Sequence, residues 1–148
     1  MRGKLWPVCS RATPAILLEA RERLLEGNRH LVRLAWRKHF EKALPAQVPG
    51  AEVVGPNAER LWNTVMAVMP DLQCQQRWVV KMDRFGFAVS TGSACASGKE
   101  QASHVLRAMG YEPAQAGRAL RFSSGWETTE ADWESLLEGL RQTRAALG

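Results

Sequence analysis

Ser90-Thr91-Gly92-Ser93-Ala94-Cys95-Ala96-Ser97-Gly98 is a run of small residues with a single thiol at its centre. Two glycines and the lack of any bulky side chain mark it as a mobile, exposed loop rather than a piece of core. Phe87-Ala88-Val89-Ser90 leads into it as a brief apolar run, so the loop is expected at the end of a strand. Beyond it, Ala102 to Met109 carries Val105 and Leu106 at helical spacing and stops at Gly110. Arg118-Ala119-Leu120-Arg121-Phe122-Ser123 then alternates as a strand does. Thr129 with Asp132 three residues on forms a capping box. It opens a helix with Trp133, Leu136, Leu137, Leu140 and Ala145 near one face.

Upstream of the loop, Gln75 to Phe85 sets Trp78, Val79, Met82 and Phe85 on one helical face, with Gly86 as the stop. Leu61 to Met69 reads as a buried strand ended by Pro70-Asp71, and Ala51 to Gly55 as a short strand. Thr13-Pro14 gives an N-cap and a first-turn proline. Ile16, Leu17, Ala20, Leu24, Leu31, Leu34, Ala35 and Phe40 then recur at steps near three and four. They predict an amphipathic helix to about Ala43, with a break or kink at Gly27-Asn28. Pro45 to Gly50 reads as a hinge. The expected fold is α+β, a small antiparallel or mixed sheet covered by helices. Residues 1–12 are a leader, 13–44 a long basic helix at a domain junction, and 45–148 a compact small domain.

A chain of 148 residues with 45% hydrophobic and 24% charged residues fits one soluble domain. No apolar run approaches the roughly 20 residues of a membrane span, and no secretory h-region precedes Arg11, which places the protein in the cytoplasm. Cys9, Cys74 and Cys95 are an odd, widely spaced set. They argue against a disulfide framework and against a Cys-x-x-Cys zinc site, and no metal site is expected. The net charge of +5 is concentrated in residues 1–50, which hold ten Lys or Arg against four Asp or Glu. A solvated basic helix face explains this, and a nucleic-acid-binding module using the helix near Arg21 to Lys42 is the alternative. No Gly-x-Gly-x-x-Gly or phosphate-loop motif is present, and the six tryptophans are scattered as core and contact residues.

Three side chains carry chemical options. Cys95, close to Lys99 and between glycines, suits a nucleophilic or redox thiolate, against the bland reading of an inert loop cysteine. Arg121, in an apolar alternation, is either an outward strand residue or a carboxylate clamp, since its guanidinium offers paired donors. His104 at a helix start is a base or a surface cap, and His30 and His39 in the basic helix receive no role.

From about Gly55 to Leu140 the chain resembles the C-terminal small domain of cysteine desulfurases, the class V aminotransferase-like branch of fold-type I pyridoxal phosphate enzymes. The resemblance rests on Ala88 to Gly98, Ser103-His104-Val105-Leu106-Arg107-Ala108-Met109-Gly110, Leu120-Arg121-Phe122-Ser123-Ser124-Gly125 and Thr128-Thr129-Glu130, in the family's order. Asn63-Thr64 also looks like the family's domain junction. The resemblance implies that Cys95 takes sulfur from L-cysteine as a persulfide, leaving alanine, and that Arg121 holds the substrate carboxylate. It also aligns Thr13 with a threonine that reaches the cofactor phosphate of a partner subunit. It implies pyridoxal phosphate, a sulfur-acceptor protein and a role in iron–sulfur cluster assembly.

No segment resembles the family's lysine-bearing large domain. The chain alone is therefore expected neither to bind the cofactor nor to turn over cysteine, and to be part of a truncated or split enzyme or a persulfide carrier. A large-domain chain or a second copy is the expected partner, meeting an apolar patch near Leu24, Leu31 and Trp36.

Overall fold

In the computed structural model, alternation along one strand sets the whole layout. The structure describes residues 18–19, 22, 29–72, 75–91 and 103–147. The elements in order are α1 (Arg29–Gln47), β1 (Glu52–Val53), β2 (Thr64–Val68), α2 (Gln75–Arg84), β3 (Ser90–Thr91), α3 (His104–Ala108), α4 (Pro113–Ala116), β4 (Ala119–Ser123) and α5 (Glu130–Leu147). The strands form one sheet in the order β1-β2-β4-β3, and every pairing is antiparallel. The α+β expectation therefore holds.

Along β4, Leu120 and Phe122 point to one face and Ala119, Arg121 and Ser123 to the other, as strand geometry requires. The first face carries the larger core. Leu120, Phe122, Val65 and Ala67 meet Phe40 and Leu44 of α1, Trp78 and Met82 of α2, and Trp133, Leu136, Leu137 and Leu140 of α5. Phe40 sits between two aromatic partners, 5.6 Å from Phe122 edge-on and 4.8 Å from Trp133. Among the described residues the second face is covered at one end, where Ala119, Val68 and Val54 pack with Leu106 of α3 and Ala116 of α4.

The stop signals work as read. After α2, Phe87 N donates to Met82 O and Gly86 N to Asp83 O, and Gly86 takes φ 83°. After α3, Tyr111 N donates to Leu106 O and Gly110 N to Arg107 O, with Gly110 at φ 90°. Both are two-bond C-terminal caps in which glycine tolerates the left-handed conformation. Thr129 N donates to Asp132 Oδ2 at 2.8 Å, closing the capping box that opens α5.

Other details differ from the sequence reading. The first helix runs past Ala43 and through Pro45 to Gln47. Pro45 removes one helical bond near the end, where it costs least, while Leu44 and Val48 are both fully buried and hold the turn in place. The strand expected over Leu61 to Met69 is confined to Thr64–Val68, and Leu61 is 69% exposed. Phe85, expected on the buried face of α2, is exposed because the helix has begun to unwind into its cap. The helix expected from Ala102 starts at His104, with Ser103 buried as its cap, its Oγ 3.5 Å from Leu106 N. The helix α4 was not expected at all. Its signal was Pro113 at the first position behind Glu112, whose N–H donates to Gln115 Oε1 at 3.0 Å.

Candidate functional site

Arg121 is the middle residue of β4, flanked by both neighbouring strands. Its partner on β2 is Met66 and its partner on β3 is Ser90. Directly opposed residues of antiparallel strands share a face, so Met66, Arg121 and Ser90 form a row across the sheet on the face away from α1 and α5. Met66 packs against the cluster that α3 and α4 form at one end of this face, and Ser123 is exposed on the other side of the row. Arg121 is half-buried, and among the described residues no carboxylate or carbonyl is bonded to its guanidinium. An arginine fork that no described residue engages is suited to taking a planar anion.

Asn63 and Ser124 pin the two strands that carry this row. Ser124 N donates to Asn63 O at 2.9 Å, and Asn63 Nδ2 returns a bond to Ser124 O at 3.2 Å. Thr64 Oγ1 donates to Asn63 Oδ1 at 3.3 Å. The clasp closes one register step beyond the Thr64–Ser123 pair. Asn63 had been singled out only as part of a junction, because a bond across 61 residues leaves no local periodicity to read.

Behind the clasp lies a charged cluster. Arg37 is buried and donates through Nη1 to Leu61 O at 2.5 Å, while Glu41 Oε1 lies 3.6 Å from Arg37 Nε and 2.9 Å from Arg60 Nη2. Burial pulls the Arg37 pKa down, the Glu41 carboxylate pushes it back up, and Arg60 lowers it again. Outside this cluster Arg33 lies between two indole rings, 5.8 Å from Trp36 and 5.4 Å from Trp126, and donates to Trp126 O. Trp62 packs on Trp126 with ring centres 4.6 Å apart.

Cys95 and Thr13, the other two residues singled out from the sequence, lie outside the described residues. The structure does fix both ends of the cysteine segment. It leaves the sheet at Thr91, opposite Leu120 and one residue past the partner of Arg121, and re-enters at Ser103, the cap of α3. His104 is exposed as the first residue of α3, which agrees with the surface reading. His30 and His39 stand on α1, away from the Arg121 row. Among the described residues no group of three His, Cys, Asp or Glu side chains could hold a metal, and no helix is long and apolar enough to cross a membrane.

A cysteine desulfurase of Cereibacter sphaeroides is 42% identical over 121 residues, which make up 82% of this chain and 31% of that protein. The chain belongs to the cysteine desulfurase family, as its C-terminal part. A second relative, cysteine desulfurase 2 of Trichormus variabilis, is 35% identical over 104 residues, 70% of this chain and 26% of that protein. The chain thus spans between a quarter and a third of the curated relatives it matches. No family model matches it. In fold it is similar to the X-ray structure of a NifS-like protein from Rickettsia africae, with a TM-score of 0.69 at 24% identity, over 87% of this chain and 32% of that one.

The family depends on pyridoxal phosphate, and the described residues of this desulfurase part do not fit that cofactor. An internal aldimine needs a lysine at the site. The described lysines, Lys38 and Lys42 on α1 and Lys81 on α2, all stand on helices that pack against the opposite face of the sheet from Arg121. The carboxylates Glu52 and Asp71 are engaged elsewhere, by Tyr111 and Arg118. Lys4 and Lys99 lie outside the described residues, and none of the described residues is given a role on the cofactor.

Proposed function

We propose that this chain is the sulfur-accepting and carboxylate-holding part of a cytoplasmic cysteine desulfurase, the cofactor being held by the part of the enzyme that lies outside the match. In that reading Arg121 holds the carboxylate of L-cysteine and Cys95 carries the sulfur as a persulfide, for delivery to an acceptor protein. The observation that carries it is the half-buried Arg121, which no described residue engages, paired with Ser90 at the root of the cysteine segment. Cys95 is four residues past Thr91, so chain length alone keeps it within about 14 Å of that root. A thiol so tethered can serve a substrate held at Arg121.

Sulfur can reach Cys95 without any cofactor on this chain if a complete desulfurase supplies it. The Cys95 thiolate attacks the outer sulfur of the donor's persulfide, the new S–S bond forms, and the donor cysteine leaves as its thiolate. No oxidant is consumed, because the sulfane sulfur moves at unchanged oxidation state. The test incubates the chain with L-cysteine, with and without a complete cysteine desulfurase, followed by mass spectrometry of the Cys95 peptide. The expected result is one added sulfur atom only when the complete enzyme is present, and none on a Cys95→Ser variant. An unmodified Cys95 in both samples would remove the reading.

A further inference from the structure

Met66 and Arg121 are directly opposed across the β2–β4 ladder, and the hydrogen-bond pattern makes theirs the close kind of pair. One step beyond one end of the ladder Ser124 N donates to Asn63 O, and one step beyond the other Met69 N donates to Arg118 O. Bonded pairs alternate along antiparallel strands, so Val65–Phe122 and Ala67–Leu120 exchange bonds while Met66–Arg121 does not. The Met66 carbonyl accordingly turns to the other side and accepts from Val54 N at 2.8 Å. A pair of this kind brings its Cα atoms to about 4.5 Å and its side chains closest together. Met66 is therefore the nearer cross-strand neighbour of the Arg121 side chain, and Ser90 stands in the wider, bonded pair on the other flank.

This pairing sets a fork of donors, engaged by no described residue, beside a sulfur atom. A guanidinium carries N–H donors only, and a thioether is too weak an acceptor to hold them. One added oxygen changes that, because a methionine sulfoxide is polar and sits on the same flexible side chain. We infer that Met66 is an oxidation site whose sulfoxide oxygen takes the Arg121 fork and shuts out a carboxylate ligand; the part concerning the ligand rests on the clamp reading of Arg121. In the step, a lone pair of Met66 Sδ attacks one oxygen of hydrogen peroxide, the O–O bond breaks and the S–O bond forms. Sulfur is oxidised by two electrons, peroxide is reduced, and the departing hydroxide takes up a proton to become water. The other described methionines stand differently. Met69 and Met82 are fully buried, and Met109 is 53% exposed at the end of α3, on no strand. Met66 is partly buried, at the edge of the cluster that α3 and α4 form.

The experiment treats the full chain with hydrogen peroxide, quenches it, and reverses thiol oxidation with dithiothreitol, whereas methionine sulfoxide requires its own reductase. Peptide mass spectrometry locates the added oxygen. The side-chain Nε–H resonance of Arg121, assigned from its loss in Arg121→Lys, reports the fork. Oxidation of Met66 should shift that resonance and slow its exchange with water when no ligand is present. It should also weaken the response of the resonance to L-alanine, the carboxylate probe, at least about fivefold. Methionine sulfoxide reductase should restore both. Met66→Leu should keep the parent's behaviour after the same treatment, and so identify Met66 as the residue responsible. Met66→Gln, which brings an amide oxygen to the same flank, should reproduce the oxidised state without peroxide. The inference is overturned if Met66 resists peroxide that fully oxidises Met109, or if the Arg121 resonance stays in place once Met66 carries its oxygen. A lowered melting temperature with no shift at Arg121 would equally overturn it, since the sulfoxide would then only loosen the packing beside Leu106. If L-alanine leaves the parent's resonance unmoved, the clamp reading fails, and the shift on oxidation without ligand still decides the role of Met66.

Discussion

Arg121 and Ser90 face each other across the β3–β4 ladder, so the residue that reads as a carboxylate clamp stands beside the root of the segment that carries the reactive thiol. Among the described residues no group is bonded to the guanidinium of Arg121. Arg121→Ala should leave the melting curve within about 0.5 kcal/mol of the parent. In the enzyme reconstituted with its partner, losing a charge-assisted bond pair of about 2 kcal/mol should raise KM for L-cysteine roughly 30-fold. Arg121→Lys should recover part of that, since it restores the charge and not the fork. An unchanged KM would exclude the clamp.

The sequence made the local devices legible and left the long-range ones hidden. The caps at Gly86, Gly110 and Thr129 each depend on residues within five positions, so they could be read directly. The alternation of β4 correctly set Arg121 apart from Leu120 and Phe122, but only the sheet order showed Met66 and Ser90 as its neighbours. Pro45 misled because a proline signals a stop locally, while the fully buried Leu44 and Val48 settle the matter through tertiary packing. Of the patch expected near Leu24, Leu31 and Trp36, Leu31 is half-exposed, Trp36 packs on the core edge, and Leu24 lies outside the described residues. The contact of Trp62 with Trp126 joins segments more than 60 positions apart and carries no periodic signal.

Glu41 is the one carboxylate between Arg37 and Arg60, and its side chain is 9% exposed. Removing its charge leaves a buried guanidinium facing a second one with nothing between them. Glu41→Gln should therefore destabilise the chain by about 3 kcal/mol in chemical denaturation. Arg60, the more exposed partner, should be cheaper to lose, so Arg60→Met should cost about 1 kcal/mol or less. The reverse ranking would show that Arg37 does not need Glu41 for its burial.

Tyr111 is the only tyrosine in the chain, so tyrosinate absorbance reports it alone. Burial raises its pKa above 10.0, and the nearby Glu52 raises it further, through its negative charge and by accepting the phenol's hydrogen bond at 3.2 Å. A folded-state pKa above the unfolded value means that the native chain holds this proton more tightly. The resulting stabilisation is fully present below about pH 10 and is lost as pH rises through the folded value. Alkaline titration of the parent should give a midpoint above 10.0. Glu52→Gln should bring it down, because the variant keeps an acceptor for the phenol but removes the charge that opposes tyrosinate. A midpoint that Glu52→Gln leaves in place would assign the whole shift to burial against Leu106 and its neighbours.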